Sequence, residues 1–170
     1  MARSPFVVNI ADVVRQPGAQ FPLQLKGTVS GAALTTAAVP DDAPVVFDAT
    51  IEAQGKMVVV QGSVRAPWVG ECRRCLEAAH GELDVQVREV FEPEPVEDET
   101  YPIDGEQIDL GPVLREVLAL ALPLAPLCRD ECVGPDPDEH PVTPAPDPAE
   151  EPPPAADPRW AALDQLRFDS

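Results

Sequence analysis

A chain of 170 residues has room for one domain with a real core and some further length that need not fold. Its net charge of −18, from 30 acids against 12 bases, falls almost wholly in residues 91–157, where it opposes a broad phosphate-binding surface; it favours a basic protein partner there, or simply keeps the chain in solution. No apolar run is long enough to span a bilayer, and residues 1–9 lack the apolar stretch and cleavage site of a signal peptide, so a cytoplasmic location with reduced cysteines is expected.

The charge is unevenly placed. Residues 1–90 carry 10 acids and 8 bases, residues 91–157 carry 18 acids against only Arg115 and Arg129, and residues 158–170 balance at zero. The front half reads as antiparallel β. Residues 21–29 and 45–53 alternate apolar with polar side chains, the pattern that buries one face of a strand and wets the other. Gln54-Gly55-Lys56 signals a turn, residues 57–64 return as a hairpin partner, and residues 83–88 form a further strand ending near Phe91. One helix is expected over 109–122. Asp109 caps it, Pro112 occupies its first turn, and Pro123 ends it. Leu110, Val113, Leu114, Val117, Leu118 and Ala121 make an apolar stripe that packs on the sheet.

Residues 133–158 hold ten prolines, seven acids and no lysine or arginine, too little apolar area to offset the entropy of ordering. Beyond them, Asp157-Pro158-Arg159 opens a short helix with Trp160, Leu163 and Leu166 on one face. Such a helix is marginal alone and folds by docking, on its own domain or on a partner. The expected fold class is therefore α+β: a mainly antiparallel sheet or open barrel with one packed amphipathic helix and a disordered, acidic, Pro-rich C-terminal tether. The expected domain is 1–132, the linker 133–156, and the docking helix 157–168.

Four cysteines carry the obvious chemistry, in Cys72-Arg73-Arg74-Cys75 and Cys128-Arg129-Asp130-Glu131-Cys132. Each short gap lets two thiolates reach one ion, and two pairs supply the four soft ligands of tetrahedral zinc, provided the fold brings them together. The alternative is four reduced structural thiols. A redox-active CxxC would sit at a helix start after a parallel strand, and no βαβ pattern surrounds this one. The first pair instead falls on the link between two strands, just after Pro67-Trp68. His80 stands near it as a substitute ligand, whereas His140 falls in the linker.

The order of motifs resembles the YceD family, bacterial and plastid proteins linked to accumulation of large-subunit ribosomal RNA. The resemblance is carried by Val7-Val8-Asn9-Ile10 with Gln16-Pro17-Gly18, by Cys72-Arg73-Arg74-Cys75-Leu76-Glu77, and by Ile108-Asp109-Leu110 opening the helix. Leu122-Pro123-Leu124-Ala125-Pro126-Leu127-Cys128 and Asp157-Pro158-Arg159-Trp160-Ala161-Ala162-Leu163 complete it. It implies a role in large-ribosomal-subunit biogenesis without an established catalytic activity, with cysteine pairs that have suggested zinc. Many relatives extend the second pair into a further Gly-Leu-Cys-Pro-x-Cys-Gly stretch; here Cys132-Val133-Gly134 runs into Pro135-Asp136-Pro137-Asp138, leaving no spare ligands.

Two functions follow. One is a non-enzymatic assembly factor that binds ribosomal protein or precursor rRNA on the pre-ribosomal large subunit. The other is a zinc- or redox-responsive adaptor with no RNA role. No acid–base pair, nucleophile with a placed base or phosphate loop is legible for an enzyme. For direct RNA contact, Arg65, Arg73, Arg74 and Arg88 cluster in sequence around the first cysteine pair. Solvated strand and loop positions are the alternative for these arginines.

Overall fold

The computed structural model describes residues 4–97 and 99–135. In chain order the elements are β1 (Val7–Asn9), α1 (Ala11–Arg15), β2 (Gln20–Gly27), β3 (Ala37–Ala38), β4 (Val45–Gln54), β5 (Met57–Glu71), β6 (Ala78–Glu92), β7 (Tyr101–Pro102), β8 (Gln107–Asp109) and α2 (Gly111–Ala121). The strands expected from alternation are all present, and two of them run much further than the pattern suggests.

The main sheet runs β2-β4-β5-β6-β7, with β3 also pairing β5. Its long ladders are antiparallel, but β7 lies parallel to β6, so the sheet is mixed. It is open: β2 and β7 stand at opposite edges and do not pair. The expected sheet or open barrel is thus an open sheet and not a closed barrel. A two-residue edge strand cannot close a cylinder, and Pro22 in β2 withholds one N–H from edge pairing.

Gly55, at φ +69°, lets β4 turn directly into β5. The alternation weakens at Ala66-Pro67, yet β5 continues to Glu71. Pro67 falls between Arg65, the last residue paired with β4, and Val69, the first paired with β3, so its missing N–H removes no bond on that edge. β5 and β6 thus form a ribbon of 15-residue strands, roughly 46 Å long.

One face of the main sheet is buried. Phe47, Val58, Val60, Val64 and Phe91 pack with Leu110, Leu114 and Leu118 around α2, as the apolar stripe predicts. The helix begins one residue later than expected, with Leu110 at the N-cap and no side-chain cap; the Asp109 carboxylate still accepts the Gly111 N–H at 2.9 Å. A second helix, α1, escaped the sequence reading because five residues are too few to show a period. β1 pairs with β8 as a separate two-stranded sheet, which ties the start of the chain to the segment entering α2. The linker of residues 133–156 beyond Pro135, the docking helix with Trp160, Leu163 and Leu166, and His140 lie outside the described residues.

Candidate metal centre

Among the described residues no charged or polar side chain is fully buried, so the buried groups able to do chemistry are the thiols of Cys72 and Cys132. Cys72 follows the last residue of β5, and the turn to β6 folds on itself: the Cys72 N–H reaches the Glu77 carbonyl at 2.7 Å, and the Leu76 N–H reaches the Cys72 carbonyl at 2.9 Å. Leu76 takes a left-handed φ of 63°, which curls the turn so that Cys75 faces back toward Cys72. The segment after α2 is tied down on this turn. Arg73 N–H donates to the Pro126 carbonyl at 2.9 Å, and the Arg74 guanidinium donates to the Cys132 carbonyl.

The four sulfurs consequently converge from two segments far apart in sequence. Cys72 and Cys132 Sγ stand 3.7 Å apart, Cys75 and Cys128 Sγ 3.6 Å apart, and all four ligand atoms lie within 4.8 Å of one another. A zinc tetrahedron with Zn–S bonds of about 2.3 Å has sulfur–sulfur edges of about 3.8 Å. The two short edges match that figure and are far too long for disulfides; all four cysteines are free. Trp68, Ala79 and Leu127 wall the cluster.

Electrostatics sets the four thiols at odds. Backbone N–H groups, Cys75 foremost with Cys128 and Arg74 behind it, pull Cys72 down to about 6 against the opposing effect of burial. Cys128 is pushed up to about 12, by burial first and then by hydrogen bonds with the sulfurs of Cys75, Cys132 and Cys72. Cys75 is also raised: the Glu77 N–H lowers it, but burial and the neighbouring sulfurs of Cys72 and Cys132 outweigh that pull. A single thiolate is easily held here and four are not, unless a cation sits among them. The donor set, its spacing and its N–H partners all fit a divalent soft ion.

Residues 60–167 match the family model described as large ribosomal RNA subunit accumulation protein YceD. The chain belongs to the YceD family. An uncharacterised protein of Mycobacterium tuberculosis is 36% identical over 174 aligned residues, taking in 96% of this chain and 82% of its own length. A Mycobacterium bovis protein gives the same figures. One from Mycobacterium leprae is 34% identical over 140 residues, 77% of this chain and 64% of its own length. No solved structure matches. The YceD match takes in both cysteine pairs, the β5–β6 ribbon from Val60 onward and α2.

The arginines singled out in sequence do not form one YceD surface. Arg65 and Arg88 lie on the solvent side of β5 and β6, opposite Asp84 and Gln61 respectively, and Arg65 is paired with Asp48 at 2.6 Å. The same face carries Lys26, but also Asp48, Glu52, Glu82 and Asp84, so carboxylates outnumber cations there. Arg73 and Arg74 stand apart at the cysteine turn, and the Arg74 head group is spent on a carbonyl. His80 is exposed opposite Val69 and does not join the four-sulfur group.

Sequence reasoning missed a polar cavity of about 310 Å³ lined by Glu89, Glu99, Thr100, Tyr101 and Glu116. It is assembled from β6, the loop into β7 and α2, and no local pattern joins these. The Tyr101 hydroxyl donates to Glu116 Oε2 at 2.9 Å. Burial, then the Glu116 charge, raises Glu89.

Proposed function

We propose that this chain is a non-enzymatic factor in large-ribosomal-subunit biogenesis, acting in the cytoplasm and supporting accumulation of large-subunit rRNA by holding a basic ribosomal protein. Membership of the YceD family carries the pathway. The mode of action rests on charge. The outer sheet face is net acidic, and a second group of carboxylates, Glu89, Glu99 and Glu116, lines a cavity large enough for a basic side chain. RNA brought against these surfaces would lose affinity with every phosphate approached, whereas a lysine- or arginine-rich protein gains.

Within this reading the four thiolates of Cys72, Cys75, Cys128 and Cys132 hold zinc as a structural clamp. When bound, the ion neutralises the four thiolates; the protein's own contribution is the turn 72–77, the N–H groups aimed at sulfur, and the Arg74 tie. Arg73, exposed beside a groove of about 390 Å³ with Leu34, Val69, Leu76 and Pro126, remains the arginine best placed for direct rRNA contact. Trp160, Leu163 and Leu166 serve as a tethered second contact on the partner. The convergence of four free thiols also supports the second reading, a zinc- or redox-responsive adaptor outside the RNA pathway.

Co-sedimentation with pre-ribosomal large subunits, set beside binding to isolated ribosomal proteins and to naked rRNA over a salt series, tests the proposal. Binding to particles and basic proteins, with little to naked rRNA at physiological salt, is the expected result. Tight binding to naked rRNA would overturn the protein-first mode, and no association with either would favour the adaptor.

A further inference from the structure

The four sulfurs are not equivalent. Cys72 and Cys132 are 0% and 1% exposed beneath Trp68, Ala79 and Leu127, whereas Cys75 and Cys128 are half-buried and face each other at 3.6 Å. The cluster therefore has an inner edge closed to solutes and an outer edge open to them, and each edge spans both motifs.

We propose that Cys75 and Cys128 are an oxidation site: a small two-electron oxidant of the peroxide class joins them in a disulfide across the two motifs, while Cys72 and Cys132 stay reduced. In the first step one outer thiol gives up its proton and the sulfur attacks the O–O bond of hydrogen peroxide, forming S–OH and releasing hydroxide. In the second, the facing thiol gives up its proton likewise and its sulfur attacks the S–OH sulfur, forming the S–S bond and releasing the second hydroxide. The two protons given up meet the two hydroxides, so two thiols and one peroxide give one disulfide and two waters. Closing 3.6 Å to a bond of about 2.05 Å asks the sulfurs to approach by about 1.6 Å, within reach of side-chain rotation and a small loop shift. A CxxC bond between Cys72 and Cys75 would instead have to recruit a sulfur buried under Trp68.

The pairing itself needs no metal. Its coupling to metal rests on the zinc clamp proposed above: an ion that loses two of four thiolates to a disulfide is released, so the outer edge converts an oxidant into free zinc. The bond still ties the β5–β6 turn to the segment after α2, so the two segments stay joined while the ion leaves. In a reducing compartment the change is transient and reversed by thiol exchange.

The test uses the full chain, purified under reducing conditions, loaded with zinc and freed of excess metal. Graded hydrogen peroxide, alkylation of remaining thiols and peptide mapping by mass spectrometry read the pairing; a chromogenic chelator reads released zinc. The Cys75–Cys128 disulfide should form before any other, with Cys72 and Cys132 recovered as alkylated thiols and one zinc released per disulfide. A first disulfide inside either motif, or oxidation of Cys72 or Cys132 at the same dose, overturns the proposal. Mapping the metal-free chain in parallel separates the two readings. If the starting protein retains no zinc yet Cys75 and Cys128 still pair first, the clamp fails and the oxidation site stands.

Discussion

A thiol placed under Trp68 and fed by three backbone N–H groups is a different reagent from one half-open to water, and substitution should expose that difference. Cys72→Ser removes the sulfur that the turn is built to hold as a thiolate. Loss of an outer-shell partner usually costs a metal site about 10–100-fold in affinity, so loss of this ligand should exceed 100-fold. Competition with a calibrated chelator measures it; unchanged zinc affinity would leave plain structural thiols as the better account. The acidic cavity makes a separate, pH-dependent prediction. Burial and then Glu116 raise Glu89, so the folded state binds its proton more tightly than the unfolded chain does. Ionised Glu89 therefore opposes folding in full above its raised folded-state range, and the penalty shrinks as pH falls below that range and is gone below the unfolded value of 4.5. Glu89→Gln should raise the unfolding free energy at pH 7.5 by a modest amount, under about 1 kcal/mol for a half-buried site, read from denaturant titration, and the gain should shrink at acid pH. Tyr101 works at the other end of the scale. It is pushed from 10.0 up to about 12, chiefly by burial and then by donating to Glu116. Stability should thus fall as pH rises between those values, where the unfolded tyrosine ionises first, and Tyr101→Phe should flatten that slope.

At the scale of elements, the ribbon of β5 and β6 matters most, because its far end carries the cysteine turn. Gly81 in β6 sits opposite Trp68 in β5, and a Cβ there would lie 2.7 Å from the indole Nε1. Gly81→Ala must therefore displace the ring that covers Cys72 and Cys132. A loss of about 1–3 kcal/mol is expected from such overpacking, accompanied by weaker zinc binding. Thermal unfolding and chelator competition on the same sample would show both; a loss of stability at unchanged metal affinity would detach Trp68 from the centre. This ribbon also marks where reading the sequence succeeded and stopped. Alternation in residues 45–64 was legible because one face is buried and the other wet. The continuation past Pro67 was not, because tolerance of that proline depends on a gap between β4 and β3 that no local pattern announces. Likewise the cysteine spacing announced two pairs, and the stripe from Leu110 to Ala121 announced the helix that returns the second pair. That the pairs meet depends on the lengths of β5, β6 and α2 together. The cavity of Glu89, Tyr101 and Glu116 was invisible for the same reason, since its walls come from three elements.

For the whole molecule the governing quantity is charge. If the proposed basic partner is right, a chain at −18 meets it through long-range attraction, which salt screens over about 8 Å at physiological ionic strength. Association with an assembling large subunit should weaken steadily as salt rises. Deleting residues 136–170 should weaken it further if the segment supplies a second tethered contact, while leaving the β-sheet body folded. Sedimentation of the deleted chain beside the full one, with circular dichroism as the folding control, checks this; equal binding would make the segment dispensable for association. A last consequence follows from how far apart the two cysteine pairs lie. Cys72 and Cys132 are separated by 60 positions, with β6, β7, β8 and α2 all between them. During synthesis the first pair emerges well before the second, so an ion could not find its full set of ligands until the helix has been made and turned back. Its capture would then act as a completion signal, registering that the polypeptide has been read through Cys132 and laid down in the right order.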